Sequence, residues 1–123
     1  LLFDDGALER HHDYIQWLFP LTEPSGAVPG SPVLNATDVA ALRSSPEAQG
    51  NLRRGAARML AFYRDTQHWR APVDHNHLRI TRILRSLRLL VGDAAADDFH
   101  AAIVELSADA PINARSRAFW AAA

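Results

Sequence analysis

The chain has 123 residues, 48% of them hydrophobic, and 13 basic against 14 acidic residues leave a formal net charge of −1. The absence of cysteine excludes a disulfide framework, a thiol nucleophile and an iron–sulfur cluster. Every basic residue is Arg, which excludes a Walker-type phosphate loop and a Schiff-base enzyme, and no apolar run is long enough to span a membrane.

The N-terminal third contains one long helix and a connector. Apolar residues at helical spacing predict a first helix over about residues 5–19, and Pro20 ends it. Residues 20–34 hold four of the seven prolines and two of the six glycines, so we expect a connector there. A short second helix follows, capped by Asn35 or Thr37.

A third helix, a fifth helix and a short C-terminal helix are also predicted, and the fourth helix is described below. Ser45 and Pro46 are typical of an N-cap and a first helical position, and the third helix extends from there to about Thr66. A fifth helix is expected over about residues 94–108. A short C-terminal helix follows Pro111.

The fourth helix, about residues 75–91, is the most informative segment. One face carries only apolar residues, namely Ile80, Ile83, Leu84, Leu87, Leu90 and Val91. Leu78 and Leu89 lie on the opposite side, which predicts a central helix buried on both sides. His75 and Asn76 are expected to cap it. Because no β pattern of useful length occurs, the sequence predicts an all-α fold of five or six helices in a single domain over residues 1–123.

Charge is distributed in three blocks. Residues 1–40 carry a net charge of −5, residues 41–90 of +7 and residues 91–123 of −3. We expect these blocks to pair within one fold, through buried Arg–carboxylate pairs; the alternative is an exposed Arg face that serves as a scaffold or nucleic-acid partner. The arginines of the fourth helix recur every three residues and spiral around it, so nucleic acid is disfavoured as a partner; they are Arg79, Arg82, Arg85 and Arg88.

Four histidines have a carboxylate three residues upstream. The pairs are Glu9–His12, Asp65–His68, Asp74–His77 and Asp97–His100. This spacing occurs in di-metal sites of helical bundles, but local salt bridges and caps are the more common explanation for such pairs. A metal-dependent enzyme, with Glu9, His12, Asp74 and His77 as candidate ligands, is therefore an alternative. It requires at least three of these side chains, or of His11, His75, Asp97 and His100, to converge on one ion. We expect no metal and no cofactor.

Aromatic residues at the end of the first helix offer a candidate ligand surface. Tyr14, Trp17 and the proline-rich connector form the most natural groove for a peptide or small ligand, although aromatic residues also fill cores. His11 lies within the apolar face of the helix. It is expected to be buried and hydrogen-bonded, or to act as a general base for which the sequence offers no identifiable nucleophile.

Three segments together resemble a known family. Residues 12–21 read HDYIQWLFPL, residues 59–63 read MLAFY, and residues 75–87 read HNHLRITRILRSL. In content and order they are similar to the opioid growth factor receptor conserved domain, over about residues 5–105, and the chain resembles short bacterial members of that family.

The resemblance implies a binding module. Vertebrate members are described as receptors for the pentapeptide Met-enkephalin at the nucleus and associated membranes, and the family has no established catalytic residues. We therefore expect a non-enzymatic module located in the cytoplasm that binds a peptide or small ligand. The candidate ligand-binding residues are Tyr14, Gln16, Trp17, Phe19, Arg79 and Arg82. The first and fourth helices are expected to pack together through a polar network that includes His11, Asn76 and His77.

Overall fold

The structure is a computed structural model that describes residues 4–10, 15, 18–23, 30 and 33–123. Its described helices are α1 (Asp5–Arg10), α2 (Ala36–Ser44), α3 (Pro46–Asp65), α4 (Asn76–Leu90), α5 (Asp93–Leu106) and α6 (Ala114–Ala122). Within these residues no strand occurs, and the only sheet-like contact is a bridge between Leu21 and Val33. The predicted all-α fold is confirmed.

Side-chain caps fix where two of these helices begin. Asn35 accepts a hydrogen bond from the Asp38 amide (2.8 Å), and the Asp38 carboxylate accepts one from the Asn35 amide (3.0 Å), which is a complete capping box. At α3, the Ser45 hydroxyl accepts a bond from the Ala48 amide (3.1 Å), and Pro46 is the first helical residue. The predicted N-terminus of α3 is therefore confirmed.

The start of α4 differs from the prediction in its cap. His75 stands at the N-cap position, but its side chain makes no capping bond, because its backbone is already helical (φ −61°, ψ −22°). Instead, the Asp74 carboxylate accepts a bond from the Asn76 amide (2.9 Å). A carboxylate at this end also interacts favourably with the helix dipole.

The hydrophobic core surrounds α4. Five apolar side chains of α4 are at most 1% exposed; they are Ile80, Ile83, Leu84, Leu87 and Leu90. The large side chains packed into the same core come from α3, α5, α6 and the loops; they are Phe19, Met59, Phe62, Tyr63, Trp69, Phe99 and Trp120. The prediction of a central helix is therefore confirmed.

The prediction that α4 is buried on both sides is wrong. Leu78 is 72% exposed and Leu89 is half-buried. The reason is that α6 and the segment around Phe19 and Pro20 flank this side of α4 without covering it. Arg82 bonds to the Phe19 carbonyl on one flank, and α6 contacts α4 on the other.

Ion pairs connect the three charge blocks as expected. The basic middle block pairs with the N-terminal block through Arg58–Asp5 and Arg85–Glu23, and with the C-terminal block through Arg70–Asp109, Arg88–Asp93 and Arg88–Asp97. The prediction that such pairs are buried is wrong. The carboxylate side chains in them are 35–87% exposed, because the pairs lie at the rims between elements.

Candidate functional site

The N-terminal end of α4 carries a buried polar cluster around Asn76. The Asn76 side chain is fully buried; its oxygen accepts bonds from the Tyr63 hydroxyl (3.2 Å) and the Arg79 guanidinium (3.3 Å). Its amide nitrogen donates to Asp74 (2.8 Å). Arg79, 6% exposed, also donates to the Leu8 carbonyl of α1 (3.0 Å). The Arg79 guanidinium of α4 therefore joins this helix to α1, because it donates to a backbone carbonyl in the last turn of α1.

His77 joins three elements in the same way. It is 4% exposed, and its Nε2 lies 2.8 Å from the Trp69 carbonyl oxygen. A carbonyl can only accept, so Nε2 carries the proton and Nδ1 accepts from the Ser116 hydroxyl (3.0 Å). The Trp120 indole packs edge-on against the imidazole at 5.5 Å between ring centres and donates to the His77 carbonyl (2.9 Å). His77 thus fixes α6 and the loop at Trp69 to α4.

Further along α4, polar side chains hold the proline-rich segment. Arg82 Nε donates to the Phe19 carbonyl (2.9 Å), and the Ser86 hydroxyl donates to the Pro20 carbonyl (3.0 Å). Burial lowers the pKa of Arg82, and nearby Arg85 adds to that shift, whereas Glu23 opposes it. Arg82 and Ser86, two polar residues of the family-like segment 75–87, therefore bind backbone carbonyls.

The predicted ligand-binding residues fall into two groups. Tyr14, Gln16 and Trp17 lie outside the described residues, as does His11 of the predicted polar network. Phe19 is fully buried, and Arg79 and Arg82 bind the carbonyls described above. Asn76 and His77 both lie in hydrogen-bonded clusters at the N-terminal end of α4.

The candidate metal ligands do not converge within the described part of the chain. His12 and the Glu9 side chain lie outside it, Asp74 binds Asn76, and His77 binds Trp69 and Ser116. Among the described residues no group of three or more His, Asp or Glu side chains is placed to hold an ion.

An open groove runs along the exposed side of α4. Its volume is about 450 Å³, and we call it the outer groove; its lining residues are Thr81, Arg85, Arg88, Leu89, Phe119, Ala122 and Ala123. Phe119 of α6 is 46% exposed, and Leu78 lies two turns of α4 before Arg85. Because α6 is fixed to α4 at Ser116 and Ala123, the two helices run in the same direction and form the sides of the groove.

Charged side chains of α4 and α6 lie beside the outer groove. Near the start of α6, Arg115 lies over the Phe119 ring (5.5 Å). On α4, Arg85 pairs with Glu23, and the Glu23 charge also acts on Arg82.

Arg88, which also lines the outer groove, is paired with two carboxylates. Arg88 donates to Asp93 (2.9 Å) and to Asp97 (2.8 Å), and these bonds raise the pKa of Arg88, Asp97 contributing most. Arg88 Nε also donates to the Ala123 carbonyl at 2.6 Å. Negative charge is therefore in excess where α4 meets α5.

Two smaller grooves lie elsewhere on the described surface. One of about 200 Å³ is lined by Leu18, Pro20, Leu42, Ala48, Asn51, Leu52 and Leu90. Another, of about 260 Å³, is lined by Arg53, Ala56, Ala57, Leu60, Leu87, Ala95, Asp98 and Phe99. Ligand sites for small molecules usually measure about 300–1,000 Å³, a range that only the outer groove reaches among these three.

Sequence reasoning did not select the residues of the outer groove. The sequence places Leu78 and Leu89 on the far side of α4, where apolar residues at helical spacing predict a second buried face. The signal that could have identified the groove is the alternation of these leucines with Arg82 and Arg85, because a mixed apolar and cationic stripe is uncommon in a core.

Comparisons with known proteins agree with the resemblance. The family model described as the opioid growth factor receptor (OGFr) conserved region matches residues 3–68. The human opioid growth factor receptor is 38% identical over 118 residues, a match that covers 79% of this chain and 16% of the human protein. The mouse receptor is 37% identical over 115 residues, a match that covers 79% of this chain and 17% of the mouse protein.

An opioid growth factor receptor-like protein 1 of Xenopus tropicalis is 32% identical over 116 residues, with 80% of this chain and 22% of that protein covered. This chain therefore spans only about a sixth to a fifth of these relatives. No solved structure matches it. None of the described helices has the length and apolar composition needed to cross a membrane. Because the family model matches more than half of its residues, the chain belongs to the opioid growth factor receptor conserved-region family.

Proposed function

We propose that this chain is a non-enzymatic peptide-binding module and that the outer groove is its ligand site. The observation that supports this most directly is the groove itself, which combines a volume of about 450 Å³ with apolar side chains and two arginines in its lining. Leu89 and Phe119 supply apolar surface, and Arg85 supplies charge. Such a mixture is typical of sites that bind peptides with apolar side chains.

The proline-rich segment predicted to border the ligand also reaches this site. Glu23 belongs to that segment, and its carboxylate pairs with Arg85 on the groove wall. The relatives named opioid growth factor receptors suggest an opioid peptide as ligand class. Met-enkephalin is therefore the first peptide to test.

The test is isothermal titration of the protein with Met-enkephalin and with a scrambled pentapeptide of the same composition. A blocking variant, Ala122→Trp, places a large ring in the groove from an exposed position of α6. Its matched control, Ala121→Trp, makes the same change at the neighbouring exposed residue, which does not line the groove.

We expect saturable binding of Met-enkephalin that Ala122→Trp weakens at least tenfold and Ala121→Trp leaves unchanged. Absence of saturable binding, or equal binding by both variants, would overturn the proposal. Thermal unfolding of both variants checks that the added rings leave the fold intact.

A further inference from the structure

Two cations and two anions lie along the surface where α3 meets α5. Arg53 of α3 and Asp98 of α5 line the 260 Å³ groove between these helices. Arg64 and Glu105 lie further along the same two helices, and all four residues are exposed. Within the described part of the chain, none of the four forms an ion pair. Their charges are therefore available to a partner outside the chain.

Helical spacing places these charges on one continuous face. Arg53 and Arg64 are separated by about three turns of α3, and Asp98 and Glu105 are separated by about two turns of α5. The residues between them on the same sides are small, apart from Leu60. We call this surface the α3–α5 face; it consists of Arg53, Ala57, Leu60, Ala61, Arg64, Ala95, Asp98, Ala101, Ala102 and Glu105.

The groove at the centre of the α3–α5 face suits a packed helix better than a small ligand. Its volume of about 260 Å³ is below the usual range of about 300–1,000 Å³ for ligand sites. Leu87 and Phe99, which line it, are at most 2% exposed and give it an apolar floor. The alanines around it let a second helix approach to the interaxial distance of about 8–10 Å at which helices pack.

The two helices of this face run in the same direction. Gln49, near the start of α3, donates to the Leu90 carbonyl at the end of α4 (2.7 Å). Tyr63, near the end of α3, donates to Asn76 at the start of α4 (3.2 Å). Because α3 is therefore antiparallel to α4, and α5 reverses direction after a link of two residues, α3 and α5 are parallel. A cationic stripe and an anionic stripe thus lie side by side along the face.

We propose that the α3–α5 face binds a second copy of the chain in a two-fold dimer. Around a two-fold axis parallel to the helices, α3 of one copy lies on α5 of the other. Arg53 of each copy then faces Asp98 of the other, and Arg64 lies on the same side as Glu105 of the other. Every charge of the face gains an opposite charge in this arrangement, and the alanines and Leu60 pack between them.

The charges disfavour the other symmetric arrangement. With the two-fold axis across the helices, α3 lies on α3 and α5 on α5. Arginine then faces arginine and carboxylate faces carboxylate, and like charges at an interface oppose association. The proposed interface shares no lining residue with the outer groove, so this inference does not depend on the proposed function.

The test measures molar mass by size-exclusion chromatography with light scattering across the micromolar range of protein concentration. We expect the mass to rise with concentration from 13.6 kDa towards twice that value. A protein that stays at 13.6 kDa throughout would overturn the proposal.

Charge reversal identifies the interface. Arg53→Glu and Asp98→Arg each place like charges opposite one another, and each should raise the dissociation constant of the dimer at least tenfold, which is about 1.4 kcal/mol. The double variant Arg53→Glu/Asp98→Arg exchanges the two charges, keeps the net charge and should dimerise like the unaltered protein. An equimolar mixture of the two single variants should also dimerise, because each copy supplies the charge that the other lacks.

Matched controls reverse exposed charges outside the face. Arg43→Glu changes the last turn of α2, and Asp109→Arg changes the turn after α5. Neither should alter the dissociation constant. Because all four positions are exposed, the variants are expected to fold, and circular dichroism verifies this. Equal dissociation constants for the face variants and the controls, or a folded double variant that stays monomeric, would overturn the assignment of the interface.

Discussion

The two sides of α4 use similar residue types for different purposes. On the inner side, Asn76, His77 and Arg79 are at most 6% exposed and bind side chains or backbone carbonyls of other elements. On the outer side, Leu78 is 72% exposed and Arg85 pairs with Glu23 at the rim of a groove. The same helix therefore buries several polar side chains beside its apolar core face and exposes an apolar side chain, Leu78, to solvent.

The difference shows that the residues of one family-like segment, 75–87, need not all have the same role. A buried polar group is costly unless it is hydrogen-bonded, so each inner polar residue requires one particular partner in the fold. The outer residues have no such requirement within the chain. Their arrangement is therefore available for a partner outside it.

The largest expected effect contrasts the same substitution on the two sides. Leu84→Ala removes a fully buried side chain and should lower the free energy of unfolding by about 3 kcal/mol, through lost burial and a residual cavity. Leu78→Ala, on the exposed side of the same helix, should change it by less than about 0.5 kcal/mol. Urea denaturation followed by circular dichroism measures both. Equal costs would show that the outer side is also covered.

A smaller effect is expected from the buried imidazole. His77→Leu keeps most of the volume but leaves the Trp69 carbonyl and the Ser116 hydroxyl without this partner, which should cost about 2 kcal/mol. His100→Leu is the control, because His100 is only half-buried in α5, and a change below about 0.5 kcal/mol is expected. If both variants unfold at the same urea concentration as the unaltered protein, the contacts of His77 contribute nothing to stability.

Two glycines of α3 provide a comparison of opposite sign. A Cβ at Gly55 would lie 3.3 Å from Phe19 Cζ, and that ring is fully buried, so Gly55→Ala should cost about 1 kcal/mol despite alanine's better helix propensity. A Cβ at Gly50 would meet the exposed Arg54 guanidinium, 3.1 Å away, which can move. Gly50→Ala should therefore stabilise the protein by about 0.5 kcal/mol. Stabilisation by both substitutions would contradict the tight packing at Phe19.

The sequence predicts the inner side of α4 much better than the outer side. Periodicity identifies Ile80, Ile83 and Leu84 as core because burial of an apolar stripe is a property of the helix itself. Periodicity does not reveal that Leu78 is exposed, because its exposure depends on how α6 and the segment near Pro20 pack against α4.

The charge pairs show the same limit. The block pattern predicts that acidic and basic segments meet, as they do at Arg88 with Asp93 and Asp97. It does not predict that these pairs lie at rims, since exposure depends on tertiary packing. The candidate groove is built from α4 and α6 residues that are far apart in sequence, and no local motif joins them.

The smallest effect on stability tests the site itself. Glu23→Gln removes the carboxylate that pairs with Arg85 on the wall of the outer groove, and because both side chains are about half exposed, the cost in unfolding free energy should be below about 0.5 kcal/mol. The same change leaves Arg85 available to an anionic group of the ligand, so the affinity for Met-enkephalin should rise about two- to threefold.

Asp109→Asn is the matched control, since it breaks the exposed pair with Arg70 away from the outer groove. It should have a similarly small effect on stability and none on affinity. Tighter binding by both variants would show only that the peptide responds to net charge. Tighter binding by Glu23→Gln alone would show that Glu23 competes with the ligand for Arg85.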